Sequence, residues 1–308
     1  MRKIRGFILV LSLLANTAVY GISSFIEISA GGGWSSLGYS LTNETQQGLT
    51  MRQNGSYGLN AHIGYGLQFN KYIGLGVGVD LARYGADARL KGTAEWMGVT
   101  DTEGERYDHI VSVHTWSDRQ SVYMIEIPLS VYLRFPVSET VRVYGQIGAK
   151  VCLPVMSSAS YKGTISHSGV YEPWMLTLSN MPNHGFYTAN MQDSYALRTH
   201  LTVAGFVKIG VEAPVDKLNN IWLYGAICGS VHFMPAVTPD TGNNIIGWRN
   251  DTYDQTMYQA HSFMSDYSPI LSTNLIKREA KPFALGAEIG IRFRIPHFKR
   301  YGCNCERE

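Results

Sequence analysis

Apolar and polar residues alternate along most of the chain between residues 25 and 296. In the last such stretch, apolar side chains occupy the odd positions from Phe283 to Ile295, and glycine and charge occupy the even positions. A period of two over this length is a strand signal, because successive side chains of a strand point to opposite faces. The pattern predicts eight strands, at about residues 25–34, 56–69, 72–84, 121–135, 141–154, 199–213, 221–234 and 282–295.

The predicted strands are joined by short and long connections in strict alternation. The short ones are "NK", "PVSET" and "PVDKLNN", which contain the Asn, Pro and Asp typical of turns. The long ones are residues 35–55, 85–120, 155–198 and 235–281. In an up-and-down antiparallel array, this order collects the four long loops at one end and the short turns with both termini at the other. Transmembrane barrels have this asymmetry, with short periplasmic turns and longer extracellular loops.

The polarity of the two faces favours a membrane barrel. The chain is 45% hydrophobic and only 16% charged, against roughly 25% charged in an average soluble protein. One face is nearly free of charge and has aromatic residues near the strand ends, as expected of membrane girdles. The alternative is a secreted, lipocalin-like barrel with its apolar face inside. We therefore predict an all-β, eight-stranded antiparallel transmembrane barrel whose apolar face contacts lipid.

The other face carries many glycines and a few charges, which suits a narrow interior filled by side chains. Buried charges need partners, and strand register suggests three pairs: Glu126 with Lys150, Glu27 with Arg292, and Arg142 with Glu212. We interpret this set as structural packing of the closed barrel, and its alternative role is a plug or gate in a narrow pore. The predicted interior network comprises Glu27, Asp80, Glu126, Arg134, Arg142, Lys150, Lys208, Glu212, Glu288 and Arg292.

The N-terminus predicts a cleaved signal peptide. Three basic residues precede the apolar run "GFILVLSLLA", and small or neutral residues follow to about Gly21. Without those three, Lys plus Arg falls from 26 to 23 against 24 Asp plus Glu, so nothing suggests a nucleic-acid partner. The predicted organisation is a signal peptide over 1–21, a barrel over 22–296 and a periplasmic tail over 297–308.

Over roughly residues 22–296, the sequence resembles the OmpA-like eight-stranded outer-membrane β-barrels of Bacteroidetes-like bacteria. The most specific match is in the last strand, where Glu288, Gly290, Phe293 and Ile295 are similar to the signal by which the barrel-assembly machinery recognises its clients. The resemblance implies the outer membrane of a Gram-negative bacterium, with both termini periplasmic. The chain departs from the family in the tail "HFKRYGCNCERE" and in having no room for a peptidoglycan-binding domain.

Other patterns give weak signals for chemistry. Gly74, Gly76 and Gly78 keep the strand period and look like small interior residues, not a phosphate-binding loop. Ser230 and His232 lie on one strand face and form a candidate catalytic pair. The favoured interpretation of His232 is an interior or loop histidine. Cys303 and Cys305 predict a tail disulfide or free thiols. We expect no catalytic, cofactor or metal site.

The sequence predicts a structural or surface-interaction role through the long loops, not an enzyme. A narrow, porin-like solute channel and, less favoured, a lipid-modifying enzyme are the alternatives. The expected partners are outer-membrane lipid and lipopolysaccharide, the assembly machinery, and an extracellular ligand or protein. Aromatic residues in the loops suit either partner binding or strand extensions above the membrane: Trp96, Trp116, Tyr161, Tyr171, Trp174, Tyr187, Trp248, Tyr253, Tyr258 and Tyr267.

Overall fold

The computed structural model describes residues 23–39, 45–46, 48–101, 104–138, 140–237, 246–249, 257–260 and 280–295. The predicted signal peptide and the tail with Cys303 and Cys305 lie outside these residues. The strands are β1 (Ser23–Ser36), β2 (Thr45–Gln46), β3 (Leu49–Gln68), β4 (Ile73–Thr100), β5 (Arg106–Pro136), β6 (Arg142–Tyr171), β7 (Leu176–Leu178), β8 (Thr188–Tyr195), β9 (Thr202–Pro214), β10 (Ile221–His232), β11 (Ile246–Arg249), β12 (Met257–Ala260) and β13 (Phe283–Ile295). Two 3₁₀ turns span Glu172–Trp174 and Pro182–His184. Among the described residues, no helix is long and apolar enough to cross a membrane.

Eight of these strands form a closed antiparallel barrel. Their order around the ring is β1, β3, β4, β5, β6, β9, β10 and β13. The ring closes because β1 pairs with β3 on one side and with β13 on the other, over almost its whole length. Closure leaves none of the eight with a free edge in the barrel wall. The predicted eight-stranded up-and-down barrel is confirmed.

The first and last described residues of the barrel wall, Ser23 and Ile295, lie on the same side of the barrel as the short connections. We call this side the turn end. Asn70 stabilises the β3–β4 turn, where its Oδ1 accepts hydrogen bonds of 2.8 Å from the backbone N–H groups of Tyr72 and Ile73. Ser138 and Asp216 make similar bonds in the other two turns. The opposite end is called the loop end.

The outer wall is apolar over the part nearest the turn end. On β3, β5 and β9, the outward residues Ile63, Ile127 and Ile209 are 55%, 53% and 63% exposed, while the neighbouring even positions are buried, apart from the half-buried Gly210. A continuous outer surface of so many exposed apolar side chains favours a non-aqueous surrounding. The prediction that the odd positions face outward is confirmed, including Leu285 and Ile289 on β13. We call this band the belt.

Aromatic side chains border the belt at both ends. Tyr72, Phe135 and Phe293 are exposed at the turn end, and Trp34 and Tyr57 at the loop end. Arg83 also lies at the loop-end border. Its guanidinium packs 4.0 Å from the centre of the Tyr57 ring and donates a 2.6 Å hydrogen bond to the Tyr57 carbonyl. Such amphipathic and snorkelling side chains are typical of a membrane–water interface.

Three strands continue far beyond the belt. β4, β5 and β6 contain 28, 31 and 30 residues, whereas β9, β10 and β13 contain 12 or 13. Residues 85–100 and 106–120 therefore pair as the two arms of a β-hairpin instead of the predicted long loop over 85–120. Of the predicted loop over 155–198, residues 155–171 continue β6, and β7 and β8 pair with it. Of the two interpretations of the loop aromatics, the structure shows strand extensions. The upper parts of β4, β5 and β6, at residues 85–100, 106–121 and 157–171, together with β7 and β8, are the extension.

Face polarity reverses between the belt and the extension. Arg89, Arg119 and Lys162 now point outward, and Leu90 and Trp116 point inward to a buried core. The reversal follows from water replacing lipid outside, so the outer face becomes polar and the inner face must supply the hydrophobic core. On β5, the change of phase falls in the continuous apolar run from Val122 to Ile125.

Candidate functional site

The belt-level interior is charged and electrically balanced. It holds five described carboxylates and five described cationic groups, all on inward positions of the eight strands. The carboxylates are Glu27, Asp80, Glu126, Glu212 and Glu288, and the cationic groups are Lys150, Lys208, Arg134, Arg292 and His62. Each of these residues is 8% exposed or less. A low-polarity interior tolerates this many charges only when they neutralise one another at short range.

The three pairs expected from strand register lie close together. Lys150 Nζ is 2.8 Å from Glu126 Oε2, and Arg292 Nε is 2.9 Å from Glu27 Oε2. The third pair is looser, with 4.0 Å between Arg142 Nη1 and Glu212 Oε1. Arg142 differs from the predicted interior position, because its side chain is 41% exposed at the turn-end mouth. At the mouth, where water is accessible, its guanidinium carbon lies 4.0 Å from the centre of the Trp222 ring.

These groups form one continuous chain of polar contacts along the barrel axis. Tyr84 donates to Glu126, Lys150 links Glu126 to Asp80, and His62 links Asp80 to Glu27. Arg292 then joins Glu27 to Glu212 near the turn end. The barrel interior is thus cross-linked through side chains from β1, β3, β4, β5, β6, β9 and β13.

His62 is the charged member of this chain that was not predicted from the sequence. Its Nδ1 contacts Asp80 and its Nε2 is 2.9 Å from Glu27 Oε1. Because carboxylates only accept hydrogen bonds when ionised, both ring nitrogens donate and the ring is an imidazolium. Gly64 and Gly78 make room for it, since a Cβ at either would lie 2.5 Å from the imidazole. Its even position, opposite Asp80 in the β3–β4 register, was the available signal.

The other predicted members complete the network. Lys208 Nζ lies 2.9 Å from Glu288 Oε2, and Asn60 donates to the same oxygen at 3.4 Å. Arg134 contacts Gln68 and lies 3.4 Å from Glu212. These contacts give the remaining interior charges partners, both in the middle of the interior and at its turn end.

Little free space remains inside. A cavity of about 60 Å³ lies at the loop end of the charged chain, beside Tyr84, Lys150 and Lys208. A wider vestibule of about 480 Å³ at the turn end is lined by Arg134 and Arg292. The first volume holds only a few water molecules, and the side chains of the charged network lie between the two.

A second site lies on the outer surface of the extension. It is a shallow groove of about 750 Å³ across β4, β5, β6 and β8. Register places Arg89, Ser117, Lys162 and Gln192 in one row, on four adjacent strands. Neighbouring strands are about 4.8 Å apart, so the Arg89 and Lys162 backbones are about 10 Å apart, with Ser117 between them. We call this the cationic groove.

Several cations of the cationic groove are unneutralised. Arg119 is paired with Asp87, with 2.9 Å from Nε to Oδ1. Arg89, Lys91 and Lys162 form no ion pair with any described residue. They sit on a sheet whose backbone is fixed by strand pairing, so the groove presents its cations at set spacings.

The remaining predicted features are placed as follows. Glu288 and Gly290 face the interior, while Phe293 is 39% exposed on the outer wall and Ile295 ends β13 at the turn end. Their recognition by an assembly machinery stays a prediction. His232 is buried in the interior, and neither of its ring nitrogens is hydrogen-bonded to Ser230.

The loop aromatics fall into distinct environments. Trp116 and Tyr161 stack inside the extension, with ring centroids 5.1 Å apart, and Tyr171 is also buried. Trp174 is 55% exposed. Tyr253 and Tyr267, and the side chains of Trp248 and Tyr258, lie outside what the structure describes.

Comparisons with known proteins show only distant likeness. No protein-family model and no curated protein matches the chain. Among solved structures, Neisserial surface protein A is 13% identical, with 89% of this chain and 99% of that chain covered and a TM-score of 0.38. OprG from Pseudomonas aeruginosa is 9% identical, with 89% and 96% covered and a TM-score of 0.35. CarO from Acinetobacter baumannii is 16% identical, with 85% and 96% covered and a TM-score of 0.24. At these scores the likenesses carry no argument, and the fold is established by the strand pairing itself.

Proposed function

We propose that this protein is an integral outer-membrane barrel of the small OmpA-like type, with a structural and surface-interaction role. The belt supports a membrane location, because its exposed isoleucine, leucine and valine side chains form a closed apolar band bordered by aromatic residues. A closed barrel satisfies every wall hydrogen bond internally, as crossing a bilayer with strands requires.

The orientation follows from the difference between the two ends. Both ends of the barrel wall lie beside the short turns, and the extension lies at the loop end. Outer-membrane barrels have short periplasmic turns and larger extracellular parts. We therefore assign the turn end to the periplasm and the extension to the cell surface. Protease or antibody access to a tag at 102–103 in intact cells, but not to one at the C-terminus, tests this orientation.

The cationic groove is the observation that carries the interaction role. Arg89, Lys91 and Lys162, which form no ion pair with a described residue, face outward above the loop-end border of the belt, where lipopolysaccharide phosphates are concentrated. Guanidinium and ammonium groups bind phosphate oxygens strongly. We infer that the groove binds the phosphorylated part of lipopolysaccharide and fixes the extension against the cell surface.

A narrow channel is less well supported than this role. The interior is filled by the charged chain, and the cavity of about 60 Å³ beside Lys150 is separated from the turn-end vestibule by paired side chains. Opening a path would separate buried ion pairs, which costs several kcal/mol for each charge left without a partner. Planar-bilayer recordings that show steady conductance would contradict a sealed interior.

The binding proposal is tested with purified lipopolysaccharide and the double variant Arg89→Gln/Lys162→Gln. Each cation contributes about 1 kcal/mol near an anionic surface, so the pair should weaken binding about 25-fold. Phosphatase-treated lipopolysaccharide should bind the wild type about as weakly. Binding can be measured by fluorescence titration in detergent at two salt concentrations, because ionic contacts weaken with salt.

Arg106→Gln is the matched control, since it removes one exposed cation from the same side of the membrane but outside the cationic groove. It should bind lipopolysaccharide like the wild type. The groove is not the binding site if the double variant binds lipopolysaccharide as tightly as the wild type does. The same conclusion follows if Arg106→Gln weakens binding as much as the double variant does.

A further inference from the structure

Three side chains of metal-ligand type meet inside the barrel at the loop end of the charged chain. They are Glu126 on β5, Cys152 on β6 and His232 on β10, and one ligand atom of each lies within 4.8 Å of the other two. All three residues are buried, at 0%, 0% and 2% exposure. We propose that they form a binding site for a divalent transition-metal ion of the Zn²⁺ class.

Strand register brings the three together. Glu126 and Cys152 are direct partners in the β5–β6 pairing and both point inward. His232 pairs with Ala204 on β9, and Ala204 pairs in turn with Lys150 on β6. Because Ala204 has only a methyl group, the His232 imidazole extends over it towards the β6 wall. The site is therefore built from rigid strands, whose positions the barrel hydrogen bonds fix.

The His232 imidazole gives an independent indication of a missing ligand. Both ring nitrogens are buried and neither has a hydrogen-bond partner among the described residues. Burying an imidazole without satisfying its nitrogens costs stability. Tyr84 approaches it only through the ring edge, with centroids 5.0 Å apart. A metal ion accepts the lone pair of one nitrogen and removes part of that cost.

Cys152 is equally short of strong partners. Its Sγ makes a long 3.8 Å contact with the Lys150 carbonyl oxygen and lies beside the Glu126 carboxylate, and the thiol forms no disulfide among the described residues. On metal binding, the thiol proton leaves to water and a metal–sulfur bond forms, while neutral His232 and ionised Glu126 contribute lone pairs. Thiolate, imidazole and carboxylate together favour Zn²⁺ over Mg²⁺ or Ca²⁺, which prefer oxygen ligands alone.

The neighbouring charges are compatible with an added cation. Glu126 is also bound by Lys150 at 2.8 Å and by Tyr84 at 2.7 Å. Lys150 keeps a second carboxylate, Asp80, at 2.6 Å, so it retains a partner when Glu126 turns towards the ion. The Cys152 thiolate offsets one of the two positive charges of the ion. The site would thus connect the metal directly to the end of the interior charge chain.

The test is metal content and spectroscopy on the refolded full-length chain. After equilibration with Zn²⁺ and removal of excess, mass spectrometry of metals should find about one zinc per wild-type chain. The Cys152→Ser and His232→Ala variants should each retain at least about tenfold less zinc than the wild type. With Co²⁺ in place of Zn²⁺, the wild type should show a thiolate-to-cobalt charge-transfer band that Cys152→Ser lacks. Heat-modifiable gel migration shows whether each variant has folded.

Cys228→Ser is the matched control, because Cys228 is the other described free cysteine of the wall and is absent from the cluster. It should keep the zinc and the cobalt band, as should Cys303→Ser/Cys305→Ser, which removes the tail thiols. A wild-type chain without zinc overturns the proposal. So does zinc that survives in folded Cys152→Ser but disappears in the tail variant.

Discussion

Three strands, β4, β5 and β6, run from the belt into the extension, yet the faces of the two regions are opposite in polarity. On β5, Ile125 and Ile127 face outward in the belt with Glu126 buried between them. Further along the same strand, Ser117 and Arg119 face outward and Trp116 is buried. The strand is continuous, and the inward positions remain the even ones through this region. Only the surrounding medium differs.

This difference shows that the medium outside, and not the strand itself, decides what the interior is made of. Lipid takes up the apolar side chains of the belt, so the interior there is held by ion pairs. Water surrounds the extension, so its interior is a hydrophobic core with stacked Trp116 and Tyr161. The two regions should therefore respond in opposite ways to the same kinds of substitution.

The largest effect should come from breaking the belt interior with Arg292→Met. Arg292 bonds both Glu27 and Glu212, so its loss leaves two buried carboxylates short of a cation. We expect about 3–5 kcal/mol of destabilisation, measured by urea unfolding in lipid vesicles. Arg294→Met on the same strand is exposed at the turn end and should cost little. Similar losses in both variants would mean that the network is not what stabilises the interior.

A charge on the outer wall should separate the two regions next. Ile127→Arg places a guanidinium in the middle of the belt and should cost about 2–4 kcal/mol. Ser117→Arg places the same group on the same face of β5 in the extension, where water surrounds it, and should cost at most about 1 kcal/mol, through repulsion by the neighbouring Arg89 and Lys162. The comparison uses urea midpoints in vesicles. Equal costs at the two positions would contradict the assigned border of the belt.

Acid should weaken the extension through its stacked histidine pair. Burial, with His109 alongside, lowers the pKa of His167 from 6.5 to about 3, and burial also lowers the pKa of His109. Between about pH 6.5 and 3, the unfolded chain binds protons that the folded extension excludes, so stability falls as pH falls. Near-ultraviolet circular dichroism during thermal unfolding should show this loss, because Trp96 packs 5.9 Å from His109. In His167→Gln the slope should flatten, and an unchanged slope would assign the acid sensitivity elsewhere.

The smallest effect should come from the exposed ion pair of the extension. Arg119 and Asp87 are 69% and 39% exposed, so water and salt screen their attraction. Asp87→Asn should change the free energy of unfolding by about 0.2–1 kcal/mol, measured by urea unfolding at low and high salt. A loss comparable to that of Arg292→Met would show that this pair is not screened as its exposure indicates.

Much of the belt could be predicted from sequence because a period of two is a local property. Each strand, its outward face and the pairing of Glu27 with Arg292 follow from alternation and from counting along adjacent strands. His62 was missed because a single histidine among many carries no periodic signal. The extension was predicted only as one of two alternatives, because its apolar positions change phase near Val122, and polar outward residues such as Ser117 resemble those of a loop.

The sequence by itself determined the number of barrel strands, their alternation and most of the buried charges, since these depend only on local polarity and order along the chain. Only the tertiary structure decided which groups meet across the interior. Ring closure brings β1 beside β13 and sets His62 between Glu27 and Asp80. It also brings Glu126, Cys152 and His232 together from three strands. Such contacts depend on barrel register and on the reach of side chains across a narrow interior, which no local pattern records.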